Sequence, residues 1–278
     1  MTINTLTGTA RDLIWALDAA QFAAAAGLPP DDWQADVLHS SASRLLLNCS
    51  RQAGKTTVTS VLGLHTALYD PGALVLLLSP SQRQSQLLFR QLLMVYHALE
   101  QPVPALAENA LSLDLANGSQ IVALPGKEST IRGFSAVRLL IIDEASRVSD
   151  ALYRSLRPML AVSGGRLVGL STPFGKRGWW YEAWQAAHEG REAWDCYEVP
   201  ATKVPRISRQ FLAEERASLG EWWYVQEYDC QFVNVQGSLF SPEAIDAAFA
   251  DGGAAFFPDL EGGNDVGSRD GSDDFLGR

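Results

Sequence analysis

The chain has 278 residues, 47% of them apolar, and a formal net charge of −10. That length supports one large domain or a large and a small one, with apolar content enough for a substantial core. The acidic balance argues against wrapping nucleic acid over the whole surface. Cys49, Cys196 and Cys230 lack the spacing of a disulfide framework or a zinc site, which fits a reducing cytoplasm. The four histidines form no metal pattern, no apolar run reaches membrane-spanning length, and no secretory signal opens the chain.

In chain order, residues 1–29 read as a helical segment with Leu13, Ile14, Ala16 and Leu17 on one side, ended by Pro29-Pro30. A new helix starts after Asp31 or Asp32, either of which caps it. A core follows over 30–205. It has a strand near 44–48, a glycine loop, a helix over 55–69, a strand near 73–79 and a helix near 82–99. Two short strands near 111–115 and 120–124 are joined by Asn117-Gly118, a hairpin signal. Further strands are expected near 138–142, 166–170 and 196–200. Strands alternating with helices imply an α/β fold with a mostly parallel sheet flanked by helices. Trp179, Trp180, Tyr181 and Trp184 crowd a helix and read as packing; base stacking beside Lys176 and Arg177 is the alternative. Residues 206–250 read as a helical linker subdomain, helical over 208–231. The Gly- and Asp-rich 251–278 reads as a disordered tail. That tail holds seven acids against Arg269 and Arg278, half of the total charge. The body is then only mildly acidic and leaves room for a local basic strip.

The chemistry is concentrated in Cys49-Ser50-Arg51-Gln52-Ala53-Gly54-Lys55-Thr56-Thr57, set between Leu45-Leu46-Leu47 and the helix from Val58. Strand, glycine loop and helix in that order cradle phosphates on backbone N–H groups at a helix start. The cradle spans Gln52, Ala53, Gly54, Lys55, Thr56 and Thr57. Lys55 is expected to reach the β- and γ-phosphates, and the Thr56 hydroxyl to ligate Mg²⁺. Cys49 stands where the pattern usually has its first glycine. A second motif, Leu139-Leu140-Ile141-Ile142-Asp143-Glu144-Ala145, reads as a central strand buried on both faces with two acids at its C-terminal end. Ligands sit beyond those ends in open α/β sheets. Asp143 is therefore expected to hold Mg²⁺, and Glu144 to orient and deprotonate the attacking water. Arg166 to Pro173 reads as a third strand ending in the hydroxyls of Ser171 and Thr172. They are either γ-phosphate sensors or ordinary turn formers.

Together, Ser50 to Thr57, Leu140 to Ala145 and Ser171-Thr172-Pro173-Phe174-Gly175 resemble the ATPase domain of the large terminase subunit of tailed bacteriophages. The similarity covers roughly residues 30–240. It implies a P-loop NTPase of the helicase/terminase type with a strand added to the sheet. It implies an ATP- and Mg²⁺-dependent motor, working in the cytoplasm of a bacterial host, that threads double-stranded DNA into a procapsid. By that resemblance Arg51 contacts phosphate, Gln34 in Trp33-Gln34 reads the adenine, and Ser171 and Thr172 couple hydrolysis to domain movement. Ser79-Pro80-Ser81 with Gln84 is similar to a helicase-like segment. Arg132 resembles an arginine inserted into a neighbouring subunit's site; a surface arginine is the equal alternative. The implied partners are the portal, the small terminase subunit and further copies in a ring, with no membrane. Large subunits normally continue into a nuclease domain, and residues after Ala244 show no strand carrying its first aspartate, so nuclease activity is not expected. The alternatives are a helicase-like translocase, which needs a second motor domain, and a truncated prophage remnant that binds nucleotide without packaging.

Overall fold

Runs of consecutive large apolar residues need cover on both faces. In the computed structural model such runs become the central strands β1 (Arg44–Cys49), β2 (Leu74–Ser79), β6 (Val137–Asp143) and β7 (Arg166–Ser171). The structure describes residues 8–126, 131 and 133–234. Arg132, the part of 206–250 beyond residue 234, and the 251–278 segment lie outside the described residues.

The sheet is completed by β3 (Ala105–Glu108), β4 (Ser112–Leu115), β5 (Gln120–Pro125) and β8 (Asp195–Val199). Among the described residues its order is β3-β4-β5-β2-β6-β7-β1-β8. Pairing is parallel from β5 through β8 and antiparallel for β3 and β4. The strand feeding the glycine loop, β1, is separated from the acidic strand, β6, by β7. That inserted strand is the topology expected of the P-loop class in question. The Asn117-Gly118 hairpin forms, with Leu113 opposite Ile121. The Asn117 amide anchors it by donating to Ala67 O at 2.8 Å.

Alternation along each strand sends side chains to two cores. Leu45, Leu47, Val75, Leu77, Ile141 and Val168 face one side. There they meet α1 (Gly8–Leu17), α2 (Ala19–Ala25), α3 (Asp32–His39), α4 (Lys55–Tyr69) and α5 (Gln82–Ala98). Leu46, Leu76, Leu78, Leu140 and Ile142 face the other, under α6 (Asp150–Leu156) and α7 (Gly178–His188). Each such buried leucine contributes about 1.5–3 kcal/mol over an exposed one. Trp180 lies so close over β7 that a Cβ at Gly169 would sit 2.8 Å from its ring. Trp179, Trp180 and Trp184 are all buried, so they pack rather than stack on bases.

Three expectations change. The 1–29 segment is not one helix over its described part: Asp18 breaks it and caps α2, accepting from Ala20 N and Gln21 N. The 208–231 helix is two, α8 (Arg209–Leu219) and α9 (Glu221–Glu227), broken at Gly220. β3 went unforeseen because Ala105-Leu106-Ala107-Glu108 is short and lacks β-branched residues. Among the described residues no helix is long and apolar enough to cross a membrane.

Candidate nucleotide site

β1 ends at Cys49 and α4 begins at Lys55, so residues 50–54 must turn the chain in one short loop. Gly54 stands at the N-cap with φ 95°, a left-handed conformation, and a Cβ there would meet Gln34 Nε2 at 2.6 Å. No side chain caps α4. Its first-turn N–H groups and dipole are therefore left for an anion. Glycine is not needed at Cys49, whose side chain is fully buried in the core. Burial pushes that thiol up to about 12 and keeps it protonated. Lys55 Nζ folds back over the loop, donating to Ser50 O at 2.9 Å and Cys49 O at 3.3 Å.

Across from the loop, β6 delivers Asp143 and Glu144. Glu144 has φ 50° and ψ 45°, a left-handed conformation uncommon outside glycine. Such backbone costs of order 1–3 kcal/mol and clusters at functional sites. The turn is held by Glu144 N donating to Asp143 Oδ1 at 3.0 Å and by Arg147 N donating to Glu144 O at 2.8 Å. Burial first, then the neighbouring Glu144 charge, raises the Asp143 carboxyl to about 6; Lys55 pulls the other way. Ser171 Oγ is 2.7 Å from Ser146 Oγ and 3.5 Å from Glu144 Oε2, which ties the end of β7 to the acidic turn.

The loop and Glu144 border one cleft of about 710 Å³. Of the residues nominated by the sequence, 51–57, Glu144 and Thr172 line it, as do Pro80 and Gln84. Asp143 lies partly buried behind Glu144, and Ser171 is fully buried. Gln34 is not on the cleft wall. It is buried beneath the loop, its Oε1 accepting from Asp31 N at 2.9 Å and its Nε2 donating to Gly54 O at 3.4 Å. Arg132 lies outside the described residues.

Three residues escaped sequence reasoning. Arg206 lines the cleft, its Nη1 2.7 Å from the Asp31 carboxylate and its Nη2 donating to Ala53 O at 3.1 Å. Glu227, at the end of α9, is buried; its Oε2 is 2.5 Å from Arg51 Nε and its carbonyl accepts from Arg51 N at 3.0 Å. Arg147 lines the cleft and stacks its guanidinium 3.3 Å over the Phe174 ring. Arg147 had a signal, three residues past Glu144 in the same motif. Arg206 and Glu227 had none, being distant in sequence.

Comparison with known proteins agrees with this fold. The terminase large subunit of Escherichia phage T5 is 27% identical over 237 residues, covering 80% of this chain and 52% of that protein. The chain thus spans about half the length of that curated relative. The large terminase ATPase domain of Thermus phage P74-26 matches with a TM-score of 0.68 at 21% identity, over 77% of this chain and 98% of that one. The large terminase of another thermophilic bacteriophage matches with a TM-score of 0.62 at 14% identity, over 77% of this chain and 57% of that one. That second protein has also been solved with ATP-γ-S and with ADP. The family model for the N-terminal part of the T4-like-virus-type terminase large subunit matches residues 46–246, and the chain belongs to that family.

Proposed function

We propose that this chain is the ATP-hydrolysing motor portion of a phage terminase that drives double-stranded DNA into a procapsid in the host cytoplasm. The observation that carries the reading is convergence. Lys55 and Glu144 border one cleft, and the Lys55 charge acts on Asp143. The uncapped start of α4 supplies the backbone donors that a triphosphate needs.

In the working cycle Lys55 leaves the loop carbonyls for the β- and γ-phosphates, and the α4 amides hold the oxygens between them. The donor set suits Mg²⁺, which favours one or two carboxylates with phosphate oxygens over a closed protein cage. Asp143 and the Thr56 hydroxyl are the hard oxygen donors at hand. Bound there, the ion would neutralise charge on the transferring phosphoryl group. Glu144 faces the cleft with a carboxylate that accepts the proton of the attacking water. Arg51 is a candidate for the charge developing at the γ-phosphate, provided it releases Glu227. Arg132 is a candidate for the same task in a neighbouring copy. Ser171, through Ser146 and Glu144, and Thr172 on the cleft wall are the proposed relay between the acidic turn and the following loop. Portal, small subunit and further copies of the chain are the proposed partners, by family membership.

The test is ATP turnover with and without duplex DNA, wild type against Glu144→Ala. Loss of a positioned general base should lower turnover about 10²–10⁴-fold while ATP binding stays measurable. Equal turnover in the two proteins overturns the assignment.

A further inference from the structure

Within this acidic chain, the segment covering one side of the sheet is rich in arginine. Between Ala145 and Tyr181 stand Arg147, Arg154, Arg157, Arg166, Lys176 and Arg177 against a single acid, Asp150. Asp150 is engaged as well, its Oδ1 accepting from Trp179 N at 2.7 Å. The elements of this stretch cover the α6–α7 face. On the opposite face, residues 8–49 hold Asp12, Asp18, Asp31, Asp32 and Asp36 against Arg11 and Arg44, while α5 carries the exposed pair Arg83 and Arg90, a control for charge loss alone.

Within the stretch the cations differ. Arg166 is spent on Ala42 O and Ser40 O, at 2.9 and 2.8 Å. Arg154 and Arg157 are exposed, three residues apart on the outer side of α6 and the turn after it. Among the described residues neither is paired with a carboxylate. Arg147 and Arg177 are exposed too, both over the Phe174 ring, and Arg147 borders the nucleotide cleft. The groove beside Arg154 and Arg157 is also bordered by Arg191, Glu182 and Glu192. Arg191 is held by Glu189, and Glu192 by Trp194 Nε1 at 2.8 Å.

We propose that the outer side of α6, carried by Arg154 and Arg157 and continued by Arg147 and Arg177 at the cleft rim, is the surface that meets the phosphate backbone of double-stranded DNA. The proposal rests on the motor reading above and adds where the polymer touches. Unpaired guanidiniums present planar donor forks that match phosphate oxygens. The aromatic rings below are buried, with Tyr153 and Trp179 stacked at 3.9 Å, so no ring is offered to a base. Contact through phosphates alone is indifferent to sequence. A motor that must pass any sequence needs that indifference.

The experiment is fluorescence anisotropy of a 30-base-pair duplex titrated with the full chain, with and without ATP-γ-S, across a salt series. Arg154→Ala/Arg157→Ala is compared with Arg83→Ala/Arg90→Ala, an equal charge loss at exposed α5 positions. Each phosphate contact removed should lower the slope of log affinity on log salt by about 0.9, so the α6 variant should lose about 2 from the slope and about tenfold or more in affinity. The α5 variant should track wild type, and ATP-γ-S affinity should be unchanged in both. The single Arg157→Ala should lose about half the slope difference, which separates a contact from a folding defect. Wild-type DNA affinity in the α6 variant, or an equal loss in the α5 variant, overturns the surface and leaves the motor reading standing. A wild-type chain that binds no duplex in either nucleotide state overturns both.

Discussion

The two walls of the cleft are built on opposite terms. The phosphate loop is tied down from distant parts of the chain. Ser50 N donates to Val199 O at 2.9 Å, Arg51 is held twice by Glu227, and Gln34 and Arg206 grip the carbonyls of Gly54 and Ala53. The acidic wall has little. Asp143 has a backbone donor and a distant ammonium, while Glu144 has one serine at 3.5 Å and an unfavourable backbone conformation. The loop is tied by segments far away in sequence; among the described residues the two acid side chains are hydrogen-bonded only by Glu144 N and Ser171. A carboxyl raised by burial and by a second acid beside it, at a strand end behind a cleft, marks a candidate functional site.

The sharpest way to break this contrast is Asp143→Asn. Its carboxyl pKa stands at about 6 in the fold against an ordinary 3.8. Between those values the folded state holds more protons than the unfolded one, so this group's contribution to stability falls as pH rises, and the cost is complete above about 6. Asparagine keeps the acceptor for Glu144 N and removes the charge. At pH 8 the nucleotide-free variant should therefore be more stable than wild type by about 1–3 kcal/mol in denaturant melts. At pH 5 about half of the gain should remain, and it should vanish only as the pH falls below 3.8. Its Mg²⁺-dependent ATP affinity should fall by at least on the order of a hundredfold, since even partners behind a metal ligand cost 10–100-fold. A variant less stable at pH 8 with Mg·ATP affinity intact would make Asp143 an ordinary strand end.

The contrast also explains what the sequence made legible. The sheet, the glycine loop and the acid pair were readable because each is written in adjacent residues: Leu45-Leu46-Leu47 before the loop, Ile141-Ile142 before Asp143. The ties were not, because they join segments far apart. Glu227 meets Arg51 across 176 positions, and Arg206 meets Asp31 across 175. Nothing in Val225-Gln226-Glu227 marks its acid as a partner of the phosphate loop. Gln34 shows the same limit inversely: the resemblance implied a base-reading role, and in the fold its amide bonds Asp31 N and Gly54 O.

A smaller effect should come from the loop's own tie. Arg51 is about two-thirds exposed, 64%, while the Glu227 side chain is 8% exposed. Removing the cation leaves a buried carboxylate behind; removing the carboxylate leaves an arginine that water can serve. Arg51→Ala should cost about 1–3 kcal/mol of stability, reduced from a fully buried pair by the exposure of Arg51, and Glu227→Gln about 1 kcal/mol or less. The order of these two losses, measured by chemical denaturation at pH 7.5, is the informative result. Equal losses would mean that the pair is a surface contact and that the loop is held by its backbone bonds alone.

The smallest expected effect belongs to Gln34→Ala, and it separates two roles for one residue. As placed, Gln34 completes the α3 start by accepting from Asp31 N, and supports the loop by donating to Gly54 O. Losing both should cost about 1 kcal/mol, because the second bond is long and the first caps one orphan donor. A loop held less firmly weakens every nucleotide alike, so ATP and GTP affinities should fall together, by a few-fold. A base-reading role predicts otherwise. The variant would then lose ATP selectively and bring the two nucleotides closer in affinity, since a site built to bond one base edge discriminates by the bonds it leaves unmade. Parallel ATP and GTP titrations of this variant decide whether Gln34 belongs to the tied wall of the cleft or to the ligand.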